Sequence, residues 1–328
     1  MRITNSITQR RFMNNYSNSV SRMNKLFDQV TTHRKFNKVS ENTAAASKAF
    51  LVRRQLARIE MYDSNLNNAK DILSSAESSA TTVGSSIKYA TSTLLKALND
   101  PNGSDRAVLA VQIEYYRDEV LKTMNNSFAG RYIFGGTSNE APFTLDDATG
   151  RLLYNGEAVS DPSIIDFPEN EAVYVDIGLG LEFDSVTGKL DPQTALKIST
   201  SGLDFLGYGL DSDGLENNVC DALTSIAKLL RAESFDSDTA RKYVDKLNDM
   251  HGTTLTAIAD IGNRIQYIEH NLARLASDTL TLQEAQNGLE LIDPAEAITA
   301  FKSEETAYKT CLQIGPRLIQ NTLFDYLR

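Results

Sequence analysis

The chain has 328 residues, with 33 Lys/Arg against 43 Asp/Glu and a net charge of −10. This length allows two or three domains, and no apolar stretch reaches the length of a membrane span. Two cysteines and three histidines, none in a metal-ligand spacing, offer neither a disulfide framework nor a zinc site.

The charge is unevenly placed. Residues 1–60 carry 12 Lys/Arg against 3 Asp/Glu, whereas residues 131–216 carry 4 against 16. A basic end raises nucleic acid as a partner, but these charges are spaced singly along helical sequence without an aromatic stacking platform, so no nucleic-acid partner is expected. Arg2, Arg10 and Arg11 are followed by Asn and Ser rather than an apolar run, so no cleavable signal peptide is read.

Met13, Tyr16, Val20, Met23, Phe27 and Val30 recur at spacings of 3, 4, 3, 4, 3. That heptad seam describes a helix built to lie along another helix. Asn and Ser fill much of the space between and are modest helix formers. One apolar stripe does not offset the cost of ordering the whole segment, so the helix needs partners. An ordinary amphipathic helix on a globular core is the alternative.

Residues 31–43 break the seam as a basic, polar joint. A long helix is predicted from about Ala44 to Leu98, with a seam through Val52, Leu56, Ile59, Tyr62, Leu66, Ala69, Leu73, Ala76, Ala80, Val83, Ile87, Ala90 and Leu94. Its many small residues suit close packing inside a bundle. Asn99-Asp100-Pro101-Asn102-Gly103 ends it. Ser104 is the expected cap of a third helix carrying Leu109, Ile113, Tyr116, Val120 and Met124, ending at Gly130.

The pattern then changes. Gly130 to Gly214 holds 12 of the 18 glycines and 4 of the 7 prolines. Short strands are predicted at Arg131–Phe134, Arg151–Tyr154, Ala172–Ile177 and Leu181–Phe183, with turns at Asp146–Gly150 and Asn155-Gly156. This is a small acidic β insert.

Helical sequence resumes near Glu216, with Val219, Leu223, Ile226 and Leu230 on a short helix. A second long helix runs from about Ser237 to Glu290, with a seam of Ile258, Ile261, Ile265, Ile268, Leu272, Leu275, Thr279 and Leu282. The two long helices, roughly 80 Å each, are matched for side-by-side antiparallel packing. Asp293 as cap, Pro294 and Glu296 restart the pattern. The final helix carries Ile298, Phe301, Tyr308, Leu312 and Ile319, with Pro316 and Gly315 expected to bend it.

Chemistry-bearing motifs are missing elsewhere. His33, His251 and His270 are expected on solvated faces. Asp211-Ser212-Asp213-Gly214 hints at a calcium loop but lacks the closing ligands, so an Asp/Gly turn is the reading. A glycosidase pair among the acids of the insert stays an open alternative. Cys220 and Cys311 are expected as buried thiols. No cofactor, metal or catalytic residue is assigned, and the chain is not expected to be an enzyme.

Gly130-Arg131-Tyr132-Ile133-Phe134-Gly135-Gly136, followed by Ala141-Pro142-Phe143, resembles the signature of the hook–filament junction proteins of the flagellin superfamily. The opening Met1-Arg2-Ile3-Thr4 matches the start of that family. Ile292–Ile298, Glu305–Lys309 and Leu323-Phe324-Asp325-Tyr326-Leu327 resemble its ending. The likeness covers roughly residues 1–143 and 240–328. One departure is Asn37–Thr43, where many relatives carry an Arg-Pro-Ser-Asp-Asp-Pro-like loop.

The resemblance implies a mainly α, flagellin-like fold: a long antiparallel helical bundle with terminal coiled-coil helices and an inserted β domain. The expected domains are 1–35 with 293–328, 36–130 with 215–292, and the insert 131–214. The resemblance further implies export through the flagellar type III apparatus and residence at the hook–filament junction of the bacterial flagellum. The implied partners are hook-associated protein 1, flagellin, lateral copies of the chain itself, and an export chaperone on the C-terminal segment. A bulk filament flagellin shares the architecture and is the nearest alternative.

Overall fold

The computed structural model describes residues 5–99, 103–136, 140–146, 149–160, 172–178, 180–183, 190–191 and 194–319. The terminal motifs Met1-Arg2-Ile3-Thr4 and Leu323-Phe324-Asp325-Tyr326-Leu327 lie outside these. Two compact units are present: Met1–Ile59 with Ala276–Arg328, and Glu60–Leu275. The two long helices, α2 (Thr43–Asn99) and α6 (Ser237–Glu290), contribute to both.

In the first unit, α1 (Asn5–Thr32) packs against α7 (Pro294–Ile319). The pairs Phe12–Gly315, Tyr16–Tyr308, Ser19–Glu304 and Phe27–Phe301 make the pairing antiparallel. The joints at the ends of these helices are stitched together. Arg34 and Leu291 form an antiparallel bridge. Lys35 N donates to Glu290 O at 2.7 Å, and Ile292 N donates to His33 O at 3.2 Å. His33 takes a left-handed φ of 59°, which ends α1 and turns the chain into this bridge. Arg53 grips the Glu290 carboxylate with two bonds of 2.7 and 2.6 Å, and Lys35 Nζ caps the free Gly288 carbonyl near the end of α6. Asn42 caps α2 through the Ala45 amide, and Asp293 caps α7 through the Ala295 amide, as the sequence predicts for Asp293. The α7 helix runs through Pro316 to Ile319.

The second unit has its core along α2. Leu66, Ala69, Leu73, Ala76, Ala80, Val83, Ile87, Ala90 and Leu94 are each at most 1% exposed, so the predicted seam is the buried one. The α3 helix (Gly103–Met124) meets α2 where Ser86 donates to Glu119 and the Tyr89 and Tyr116 rings lie 6.1 Å apart. The α6 helix meets α2 at Gly84–Thr254 and Lys70–Glu269. Ile113, Val120 and Met124 of α3 and Leu247, Ile261 and Ile268 of α6 are buried. Between α4 (Gly202–Leu206) and α6 lies α5 (Val219–Arg231), whose Val219, Leu223, Ile226 and Leu230 are buried and which packs on α3. Asn218 caps α5 by accepting from Cys220 N and Asp221 N.

The insert holds three small antiparallel sheets: β1 (Ser127–Phe128) with β2 (Arg131–Tyr132); β3 (Phe143–Leu145), β4 (Leu152–Tyr154) and β5 (Glu157–Ala158); and β6 (Tyr174–Asp176) with β7 (Ala195–Lys197). Several boundaries differ from expectation. The third helix ends at Met124 rather than Gly130, because Asn125 turns back to clamp Phe143, donating to its carbonyl at 2.6 Å and accepting from its amide at 3.1 Å. Ser104 lies inside the first turn, after Gly103. Phe183 makes only a bridge to Leu190, and β2 stops at Tyr132. The turn at Asn155-Gly156 is as predicted, with φ of 50° and 89°, the pair of positive values a two-residue hairpin needs.

One face of α5 anchors the insert. Asp221 accepts from Leu152 N at 2.7 Å, Thr224 donates to Gly150 O, and Lys228 Nζ donates to Thr149 O. These side chains recur at i, i+3 and i+7, one helical stripe. Asp221 Oδ2 has no hydrogen-bond partner among the described residues, and burial pushes its carboxyl above the usual range.

Candidate assembly interface

The α1–α7 pair is built on two interlocking heptad rows. On α1 the inner row is Phe12, Tyr16, Ser19, Met23, Leu26 and Val30. On α7 it is Ala297, Phe301, Glu304, Tyr308, Cys311 and Gly315. Both run at spacings of 4, 3, 4, 3, 4. Phe12 sits over Gly315, where an added Cβ would come within 2.7 Å of the ring. The Tyr16 and Tyr308 hydroxyls lie 3.3 Å apart and their rings 5.7 Å apart. Ser19, 3% exposed, donates to Glu304 Oε1 at 2.8 Å, and Arg22 reaches the same oxygen. The Ser19 hydroxyl, then Arg22, hold the Glu304 carboxyl below its ordinary range.

The residues expected to form the seam divide into two groups. Tyr16, Met23 and Val30 on α1, with Phe301 and Tyr308 on α7, lie in the inner rows. Met13 and Phe27 are 57% and 53% exposed, and Val20 is half-buried beside them. Ile298 and Leu312 are 42% and 46% exposed. Ile319 is on the last described turn of α7. So Met13, Val20 and Phe27 form a flanking row at seven-residue spacing, and Ile298, Leu312 and Ile319 repeat at the multiples of seven on α7. Phe27 still touches its neighbour across the pair, 6.0 Å from the Phe301 ring. Counting only large apolar side chains misses Ser19, Ala297, Glu304, Cys311 and Gly315, and the expected seam omits Phe12 and Leu26 as well. Their 4-3 spacing is visible once small and polar residues are admitted.

The motif residues form a tight hairpin. Ala129 and Gly130, with φ of 50° and 80°, make the two-residue turn between β1 and β2. Arg131 is exposed and Tyr132 half-buried. Ile133 is 7% and Phe134 0% exposed. Phe134 stacks on Phe205 at 5.8 Å, and its carbonyl accepts from Gly202 N. A Cβ on Gly135 would meet Pro142 at 2.9 Å, which is why glycine is needed there, and Gly136 takes a φ of 58°. Arg131, Tyr132, Ile133 and Gly136 line a cavity of about 40 Å³ with Ile72 and Val173. The motif therefore shapes the root of the insert.

Among the described residues no group of three His, Cys, Asp or Glu could hold a metal ion. The Asp211 turn is occupied from within: Asp211 accepts from Asp213 N and Leu215 N, and Lys246 Nζ lies 2.8 Å from its other oxygen. Lys246 first, then the Leu215 amide, hold this carboxyl low. Cys220 is buried and Cys311 half-buried, and both are free thiols. Burial raises the Cys220 thiol. Among the described residues no helix is long and apolar enough to cross a membrane.

Long helices, a small β insert and amphipathic helices at both ends make a mainly α, flagellin-like fold. Residues 3–139 match the family model of the bacterial flagellin N-terminal helical region. The chain is 26% identical over 327 residues to flagellar hook-associated protein 3 of Salmonella typhimurium, covering 94% of this chain and 96% of the relative. A solved structure of flagellar hook-associated protein 3 from Legionella pneumophila superposes with a TM-score of 0.57 at 12% identity, covering 73% of this chain and 98% of that one. A Vibrio parahaemolyticus structure provisionally assigned to the hook-associated proteins gives 0.62 at 18% identity, covering 76% and 100%. The likeness to flagellar hook-associated protein 3 thus extends over nearly the whole sequence and supports a structural role in the bacterial flagellum, and the two solved structures share the fold.

Proposed function

We propose that this chain is a junction piece of the flagellar axial structure, joining hook-associated protein 1 to the flagellin filament. It acts without catalysis, by folding and docking its terminal helices together. One observation carries this reading: α1 and α7 satisfy their inner rows on each other yet leave Met13, Phe27, Ile298, Leu312 and Ile314 between 42% and 57% exposed. Apolar side chains left open on each of two paired helices are surface that neighbouring subunits can cover. Terminal helices that gain stability mainly in company also suit passage through the flagellar type III apparatus and an export chaperone holding the C-terminal segment.

Met13→Asp and Leu312→Asp test the reading, because both side chains lie outside the α1–α7 seam. The expected result is a purified chain with wild-type helix content and a cell that keeps its hooks but sheds flagellin into the medium. Wild-type swimming by such variants would remove the support for it. Bulk filament flagellin is the second reading, favoured by the match of residues 3–139 to the flagellin N-terminal region. Abundance separates them: a flagellin dominates sheared filaments, and a junction protein is scarce in them.

A further inference from the structure

We propose that the outer face of the first turns of α2 docks onto the outer face of α6 in a second copy of this chain. The inference deepens the junction reading by naming a surface through which its copies meet.

Over its first four turns α2 buries Ala46 and Ala49 and half-buries Val52, Leu56 and Ile59. The opposite face carries Phe50, Leu51, Arg54 and Arg58, within about 100° of one another around the helix axis. An outward helical face is normally polar. Here Phe50 is 65% and Leu51 47% exposed. Arg22 and Arg53 in the same unit are ion-paired, whereas Arg54 and Arg58 have no ion-pair partner among the described residues. The face is apolar at one end and cationic at the other.

The charge partition says what fits it. The unit holding this face, Met1–Ile59 with Ala276–Arg328, carries 16 Lys/Arg against 10 Asp/Glu. The unit Glu60–Leu275 carries 17 against 33. On that acidic unit, α6 exposes Asp245 and Asp249, neither ion-paired among the described residues. One to two turns further on come Gly252, where an added Cβ would meet nothing within 4 Å, and Leu255, 51% exposed. The order matches in reverse. With the two helices antiparallel, Arg54 faces Asp249 and Arg58 faces Asp245, each pair of charges being four residues or about 6 Å apart along its helix. Leu51 then lies over the open surface at Gly252, with Phe50 beside Leu255. A contact between two different faces of identical subunits is heterologous, so it propagates into a ring or a helical array rather than closing as a dimer.

The test uses the purified full chain with a photoreactive benzophenone amino acid at position 50, irradiated at high protein concentration and low salt. The expected product has twice the chain mass, and its cross-linked peptide maps near Gly252–Leu255. Arg54→Glu with Arg58→Glu should cut its yield about tenfold, as should high salt. Asp245→Arg with Asp249→Arg in the partner copy should restore the yield of the reversed copy. Absence of the doubled product overturns the inference, as does a cross-link mapping to other residues, or a reversal that changes nothing. The same reagent mixed with flagellin, anionic vesicles or nucleic acid identifies those occupants instead if they carry the label in preference to a second copy. Flagellin shedding by living cells tests the junction reading separately, so the two can fail independently.

Discussion

The ring of Phe12 on α1 occupies the space that a side chain at Gly315 of α7 would need: an added Cβ would lie 2.7, 3.2 and 3.6 Å from three of its ring carbons. Glycine costs a helix interior about 1 kcal/mol relative to alanine, and here it admits an aromatic ring between two backbones.

Gly315→Leu should therefore loosen the terminal pair, by roughly 1–3 kcal/mol for an overpacked site. Phe12→Ala on its own should also destabilise it, by opening a hole. Combined, the two changes should cost less than their sum, because leucine fills the space the ring leaves. Amide exchange across residues 5–32 reads the effect, and strictly additive costs would show that the two residues do not share one space.

Glu304→Ala should destabilise the same pair by about 1–3 kcal/mol, because it strands the buried Ser19 hydroxyl. Ser19→Ala with Glu304→Leu, which removes both polar partners, should recover most of that loss. If the double change were as damaging as the single one, the Ser19 bond would not be the source.

Acid should open this unit. Hydrogen bonding by Ser19 and Arg22 lowers the Glu304 carboxyl, and Arg53 lowers that of Glu290. Each folded-state value lies below the unfolded one, so the stabilisation is present above the ordinary glutamate pKa of about 4.3 and is lost as pH falls through the lowered values. Helix content of a fragment-free, full-length sample followed from pH 6 to pH 3 should fall earlier in the native chain than in an Arg53→Met, Glu290→Met variant, after normalising each to its own neutral value. Identical acid profiles would count against the assignment.

Asp221 shows the opposite sign. Burial raises its carboxyl and the Leu152 amide only partly offsets that. Its favourable contribution is full below the ordinary aspartate pKa of about 3.9 and declines as pH rises through the raised value. Asp221→Asn keeps an acceptor for Leu152 N, so its stability relative to the native chain should improve between about pH 4 and pH 7. Asp221→Ala removes that acceptor and should cost about 1–3 kcal/mol at either pH. Urea melts at the two pH values distinguish these cases.

How much of this was visible in the sequence depended on side-chain size. Along α2 the seam from Leu66 to Leu94 is apolar or alanine throughout, so spacing alone found it, although Ser79, Ser86, Thr91 and Thr93 are buried beside it. On α1 and α7 the inner rows pass through Ser19, Ala297, Glu304, Cys311 and Gly315. A search for large apolar residues found Tyr16, Met23, Val30, Phe301 and Tyr308 of these rows but mixed them with Met13, Val20, Phe27, Ile298 and Leu312 from the flanking positions. The insert was legible as β structure from its glycines and turns, but strands of two or three residues such as β1, β5 and β7 carry too little alternation to read. The anchoring of the insert by Asp221, Thr224 and Lys228 was hidden because it joins positions about 70 residues apart.

Both inner rows of the terminal pair repeat every seven residues, so a slide of one helix by two turns would again bring most side chains opposite acceptable partners. The carboxylate of Glu304 forbids it. Moved one repeat, it would fall opposite Phe12 or Leu26, apolar side chains in place of the Ser19 hydroxyl that donates to it now. A single serine–glutamate pair therefore acts as a vernier, giving two otherwise repetitive helices one correct alignment and making mis-registered pairs the ones that come apart.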